Sequence, residues 1–133
     1  MLIDNIFRDD DTPIIYTRSR DENGNLIERR QFDFKPYFWV PASTPEFRLS
    51  RLKRSFPTAR VCQDETATGL DGTPLFKIEA HSPYDVTKMR EMFERTYEAD
   101  VRFTDRWLID NVQEMPTWKP RKWWYDIECD TGD

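Results

Sequence analysis
Apolar residues arrive along this chain in short clusters separated by prolines, glycines and charged runs, the pattern of several short elements rather than a few long ones. Residues 13–20 and 26–34 read as two strands flanking residues 21–25, where Asn23 and Gly24 accept the positive φ angles of a tight hairpin turn. Tyr37, Phe38, Trp39 and Val40, four bulky residues held between Pro36 and Pro41, read as a strand buried on both faces. Thr44 is then expected to cap a helix, with Pro45 in the first helical position where its missing N–H costs nothing. Phe47, Leu52 and Phe56 are expected to share that helix's buried side, and Pro57 ends it. Its Arg48, Arg51, Lys53 and Arg54 form a basic face, read as a solvated surface with a phosphate contact as the alternative.

Val61 and Cys62 lead into a polar stretch with Gly69, Gly72 and Pro74, which reads as a loop or loose hairpin. Residues 75–80 alternate, placing Phe76 and Ile78 on one face of a strand. A second helix has the clearest start: Ser82 caps it, Pro83 opens it and Asp85 faces the positive end of its dipole. Val86, Met89 and Phe93 recur at i, i+3 and i+7, giving one buried stripe. Extended structure resumes at Val101 and Phe103, and Thr104 is expected to cap a short helix through Asn111 with Trp107 and Leu108 facing inward. Pro116 and Pro120 break the chain into a connector, and residues 123–129 read as a strand again. This order predicts an α+β fold, with helices packed on a mostly antiparallel sheet. The strand at 123–129 is expected to be the first of a second domain that this chain does not contain.

The 133 residues make one domain, and nine Phe, five Trp and five Tyr supply the apolar bulk that a disordered chain lacks. Twenty basic against 25 acidic residues leave a net charge of −5, which excludes a strongly basic nucleic-acid-binding domain but not local basic patches. No apolar run has the length of a membrane span, and the N-terminus lacks the pattern of a secretory signal. Cys62 and Cys129 lie far apart and His81 is the sole histidine, so a structural zinc site is not expected. The composition fits a reducing cytoplasm.

Asp126 and Glu128 carry the most specific chemistry. On a strand, residues two apart project to one face, so these carboxylates converge on a single metal site. Hard oxygen ligands suit Mg²⁺ or Mn²⁺, which activate water and stabilise a leaving oxygen in phosphodiester cleavage. Two solvated acids are the bland alternative. The aromatic residues Trp123, Trp124 and Tyr125, running straight into the pair, favour the metal.

That segment, WWYDIEC, resembles the first 3′→5′ exonuclease motif of family B DNA polymerases, whose aromatic-x-Asp-Ile-Glu strand supplies two metal ligands. Upstream, FDFKPYFWV, SPYDVTKMREMFE and YEADVRFTDRWLID occur in the order and approximate spacing of that family's N-terminal domain. The resemblance covers nearly the whole chain. It implies a polymerase N-terminal domain with an RNA-recognition-like core over residues 1–115, then a connector and the opening of the exonuclease domain over 116–133. It implies that Asp126 and Glu128 hold the Mg²⁺ or Mn²⁺ of proofreading in an intact enzyme. The later exonuclease motifs and all polymerase motifs are absent, so this piece alone is expected to bind no metal and to be inactive.

The resemblance also implies a template contact. Archaeal members of the family stall ahead of uracil by inserting the base into a pocket of the N-terminal domain. The matching positions are Phe7 (where the family usually has tyrosine), Pro36, Tyr37, Pro83, Val86 and Phe103, with Arg106 and Asp110 behind them. A snug apolar pocket admits uracil yet clashes with the 5-methyl group of thymine, while backbone groups read the polar edge. Each residue also has a packing role, and Arg106 with Asp110 also fits a plain i,i+4 ion pair.

The expected partners are template DNA and the remainder of a polymerase, with no membrane, in the cytoplasm or in a host's cytoplasm if the source is viral. Two alternatives stand beside this. One is an autonomous single-strand DNA- or RNA-binding module stacking bases on Phe32, Phe34 or Trp39. The other is a scaffold domain that touches no nucleic acid.

Overall fold
The computed structural model describes residues 12–114 in full and residues 2–7 and Thr66 by their backbone alone. Among the described residues ten elements form two three-stranded sheets, antiparallel throughout, with helices against them. The first sheet, in the order β1-β2-β3, joins Leu2–Phe7, Pro13–Arg20 and Leu26–Gln31. Its β2–β3 turn is the expected one. Gly24 takes φ +82° and donates its N–H to the Asp21 carbonyl at 3.0 Å. The Asp21 carboxylate accepts from the N–H groups of Asn23 and Asn25 at 2.9 and 2.8 Å. β3 stops at Gln31, short of residue 34, because Phe34 turns away to pack on Phe103 at 5.4 Å between ring centroids.

The second sheet has the order β4-β6-β5, from Tyr37–Pro41, Pro74–Glu79 and Arg60–Thr68. Helix α1 (Glu46–Ser55) connects β4 to β5, and α2 (Pro83–Met89) follows β6. After a 3₁₀ turn at Arg90–Met92 the chain returns to the free edge of β4, where Tyr97 forms one antiparallel bridge with Trp39. The spatial order Tyr97, β4, β6, β5 is that of a β-α-β-β-α-β unit whose last strand is cut to a single residue. This is the RNA-recognition-like core expected from the sequence. Phe38 and Val40 of β4, Ile78 of β6, Leu49 and Leu52 of α1, and Val86, Met89 and Phe93 fill the layer between sheet and helices.

Several expectations need correction. β4 is buried on one face only: Phe38 and Val40 are fully inaccessible, whereas Tyr37 and Trp39 are half-buried on the other side. α1 buries Leu49 and Leu52 and leaves Phe47 exposed. Five residues on a helix turn through 140° from the apolar stripe, whereas Leu49 lies one turn from Leu52. Thr44 does not cap α1; its hydroxyl donates to the Pro41 carbonyl at 2.6 Å, and Pro45 occupies the N-cap. The polar stretch after Cys62 is the loose hairpin allowed for, although its first arm belongs to β5 as far as Thr68: Gly69 and Gly72 make the turn into β6, and a β-bulge lies between Cys62 and Thr66 at the sheet edge.

Ser82, Pro83 and Asp85 start α2 as predicted, with the Ser82 hydroxyl accepting the Asp85 N–H. Phe103 is not extended. It opens α3 (Phe103–Asn111), with Arg102 at the N-cap and Thr104 inside the first turn. α3 packs Phe103 and Trp107 on Ile15 of the first sheet, while Leu108 is half-buried. The Trp107 indole donates to the Gln31 side chain at 3.0 Å. The connector and strand expected over 116–133 lie outside the described residues. Among the described residues no helix is long and apolar enough to cross a membrane.

Candidate functional site
Three stretches distant in sequence meet where β4 begins. The Pro36 carbonyl accepts the Ala80 N–H at 2.9 Å, which ties the entry of β4 to the exit of β6, just before α2. Pro83 and Val86, in the first turn of α2, thereby come beside Pro36 and Tyr37. The first turn of α3 closes the third side with Phe103 and Arg106. These six residues line one cavity of about 210 Å³. Four of them are apolar walls, so the space suits a flat ring with a polar edge.

Asp110, one turn beyond Arg106, stands behind Tyr37 and accepts its phenolic proton at 2.6 Å. Burial, reinforced by that carboxylate, pushes the Tyr37 phenol up to about 12, and the Arg106 charge only partly opposes this. Tyr37 is flanked by two cations, with the Arg106 guanidinium 5.0 Å and the Lys77 ammonium 4.4 Å from the ring centroid.

Arg106 is the buried charge of the site, its side chain 9% exposed. Nη2 donates to Glu98 Oε2 at 2.6 Å and Nη1 lies 3.7 Å from Asp110 Oδ1. Two carboxylates thus offset the cost of taking a guanidinium out of water. Its Nε has no acceptor among the described residues, which is rare for a buried donor. The ion pair with Asp110 expected from the sequence is present, but Glu98 makes the shorter contact.

The cavity also has residues that the sequence did not single out. Arg90 and Arg102, both exposed, and Asp100 contribute to its lining, with Ala99 and Val101 between them. Arg90 reaches it from the end of α2, one turn beyond Val86, and Asp100 and Arg102 reach it because the chain runs from the Tyr97–Trp39 bridge into α3. Phe7 ends β1 opposite Pro13, and its side chain lies outside the described residues. Phe34, one of the stacking candidates, is committed to Phe103, and Phe32 is exposed beyond the end of β3.

Asp126 and Glu128, the expected metal ligands, lie outside the described residues. Among the described residues Cys62, Glu65 and Glu79 cluster closely enough to hold an ion. Burial, with Glu79 nearby, pushes the Cys62 thiol up. The Lys77 ammonium already sits 3.0 Å from Glu65.

No family model matches the chain. It is similar to a protein named DNA polymerase 3 from Saccharolobus shibatae, at 24% identity over 116 residues that cover 82% of this chain and 15% of that protein. Its fold matches the structure of the family B DNA polymerase from the hyperthermophilic archaeon Pyrobaculum calidifontis, with a TM-score of 0.68 and 24% identity, over 83% of this chain and 15% of that one. The chain therefore spans about 15% of the length of each relative, and the resemblance to family B DNA polymerases read from its sequence is matched in both sequence and fold.

Proposed function
We propose that this chain is the template-side N-terminal module of a family B DNA polymerase and that its 210 Å³ cavity receives a single base of the template strand, accepting uracil and rejecting thymine. The observation that carries this reading is the convergence of Pro36, Tyr37, Pro83, Val86, Phe103 and Arg106 on one cavity, with Asp110 bonded to Tyr37 behind it. Val86 and Phe103 also pack in the core clusters, and their placement beside Pro36, Tyr37 and Pro83 at one cavity supports the reading. Apolar walls hold the faces of a pyrimidine, and a 5-methyl group meets them. Arg90 and Arg102, exposed at the lining, offer positive charge to the phosphates on either side of the inserted base.

In the complete enzyme the module braces the exonuclease domain, and proofreading draws on Asp126 and Glu128 with Mg²⁺ or Mn²⁺ to activate water. Alone, the chain degrades no DNA. The setting that goes with this reading is the cytoplasm.

Fluorescence anisotropy with single-stranded oligonucleotides that differ in one uracil or thymine tests the cavity. Uracil should bind at least about tenfold more tightly, the discrimination one methyl group gives in a fitted pocket. Val86→Gln should remove the difference by filling the space. Equal binding of the two strands, unchanged by Val86→Gln, sinks the reading.

A further inference from the structure
The face of the second sheet that the helices leave uncovered carries another, larger cavity. It has a volume of about 490 Å³ and lies among Trp39, Ala67, Leu75 and Tyr97. Its two aromatic residues are fixed to each other: the Trp39 N–H donates to the Tyr97 carbonyl at 3.0 Å and the Tyr97 N–H to the Trp39 carbonyl at 2.8 Å. The Tyr97 hydroxyl donates to Asp71 at 3.1 Å, and the Arg95 guanidinium lies 4.8 Å from its ring centroid while pairing with the same carboxylate. Gly69 makes room for that ring, since a Cβ there would stand 3.1 Å from Tyr97 Cε1. The result is a held aromatic wall beside open space.

Two features join this cavity to the smaller one. Tyr37 and Trp39 are alternate residues of β4 on the same face, their rings edge to face at 6.0 Å, and each lines one cavity. Glu98 lines the larger cavity and grips Arg106, which lines the smaller. It does so at φ +60°, a conformation that strains a residue with a side chain and persists only where the surroundings impose it. The charges suit an anionic strand. Of the two carboxylates of the larger cavity, Asp71 pairs with the exposed Arg95 and Glu98 with the buried Arg106, so among the lining residues Arg95 is the cation that an approaching phosphodiester meets.

We propose that the larger cavity is a second base subsite: the nucleotide adjoining the one in the smaller cavity stacks its base against Trp39 and Tyr97. The domain then grips two successive bases of one DNA strand. This rests on reading the smaller cavity as a base site. Stacking on an aromatic wall tolerates every base, so the second subsite adds affinity while the first selects.

The test uses the chain with a single-stranded oligodeoxynucleotide carrying one uracil. In separate strands a photoreactive 5-iodouracil replaces the base on its 5′ side, on its 3′ side, or several positions away. Irradiation and peptide mapping should place adducts on Trp39 or Tyr97 from one adjoining position and none from the distant one. Trp39→Ala should weaken all strands about tenfold and leave the uracil-to-thymine ratio intact, whereas Trp39→Phe, which keeps a ring, should bind nearly as the wild type. A uracil preference with no adduct at either residue from either side overturns the second subsite alone, whatever the variants do. Adducts at Trp39 or Tyr97 without any uracil preference keep the stacking subsite and remove the selective role of the smaller cavity. Loss of both overturns both.

Discussion

Strand β4 has two faces built from alternating hydrophobic residues, and they meet different fates. Phe38 and Val40 are fully inaccessible within the helix-covered core, where Phe38 belongs to an apolar cluster and meets Phe93 edge to face at 6.1 Å. Tyr37 and Trp39, one residue away on either side, stay half-buried against two cavities. The difference lies less in apolar area than in polar company. Tyr37 has Asp110, Lys77 and Arg106 about it, and Tyr97 has Asp71 and Arg95. Rings that fill a core need shape alone. Rings held at a cavity need something to stop them collapsing into it, and here charged partners do that.

Phe38→Ala should break this contrast most severely, costing about 3–5 kcal/mol by urea unfolding, because the cavity it leaves is enclosed on all sides. Trp39→Ala removes a larger side chain and should cost less than half as much, since Trp39 is half-buried beside a cavity that already exists. Equal losses would show that the two faces are one core.

Tyr37→Phe is subtler. It deletes the hydroxyl bonded to Asp110 and should cost about 1–2 kcal/mol at neutral pH. The folded phenol titrates at about 12 against an ordinary 10.0, so the folded state holds its proton more tightly than the unfolded state. That contribution is complete below pH 10 and is lost as pH rises toward 12; the phenylalanine variant should lack this alkaline loss in unfolding titrations.

Asp71→Asn should have the smallest effect, visible in acid. Hydrogen bonds from Thr73, then the Tyr97 hydroxyl and the Arg95 charge, hold the Asp71 carboxyl down at about 2 from an ordinary 3.8. Its stabilisation is present above 3.8 and fades as pH falls toward 2, so the variant should flatten part of the acid arm of the stability curve.

What was legible in the sequence was local. Asn23-Gly24 marks the β2–β3 hairpin and Ser82-Pro83 the start of α2, because a turn conformation and a cap depend on a few adjacent residues. The side of α1 that is buried was misread, since Phe47 is the more hydrophobic residue by eye but lies off the stripe of Leu49 and Leu52. β5 was hidden because it lies at a sheet edge, where Gln63, Asp64 and Glu65 remain exposed across a bulge. Six cavity residues were named from motif resemblance, and the fold brings them together. Glu98, Arg90 and Arg102 lie within the segments SPYDVTKMREMFE and YEADVRFTDRWLID, but nothing in the local pattern marks them as lining a cavity. The division into two sheets was equally invisible, since nothing in either strand pattern states which strands will pair.

The hydrogen bond between Tyr37 and Asp110 joins positions 73 residues apart. Its consequence is one of timing. Strands β4 to β6 with α1 and α2 are available to a growing chain once Tyr97 has been added, but the smaller cavity has no third wall until Phe103 and Arg106 follow. Closing so long a loop comes late and depends on contacts already made. The smaller cavity therefore exists only in polypeptide that has been extended through α3 and has docked it beside β4 and α2.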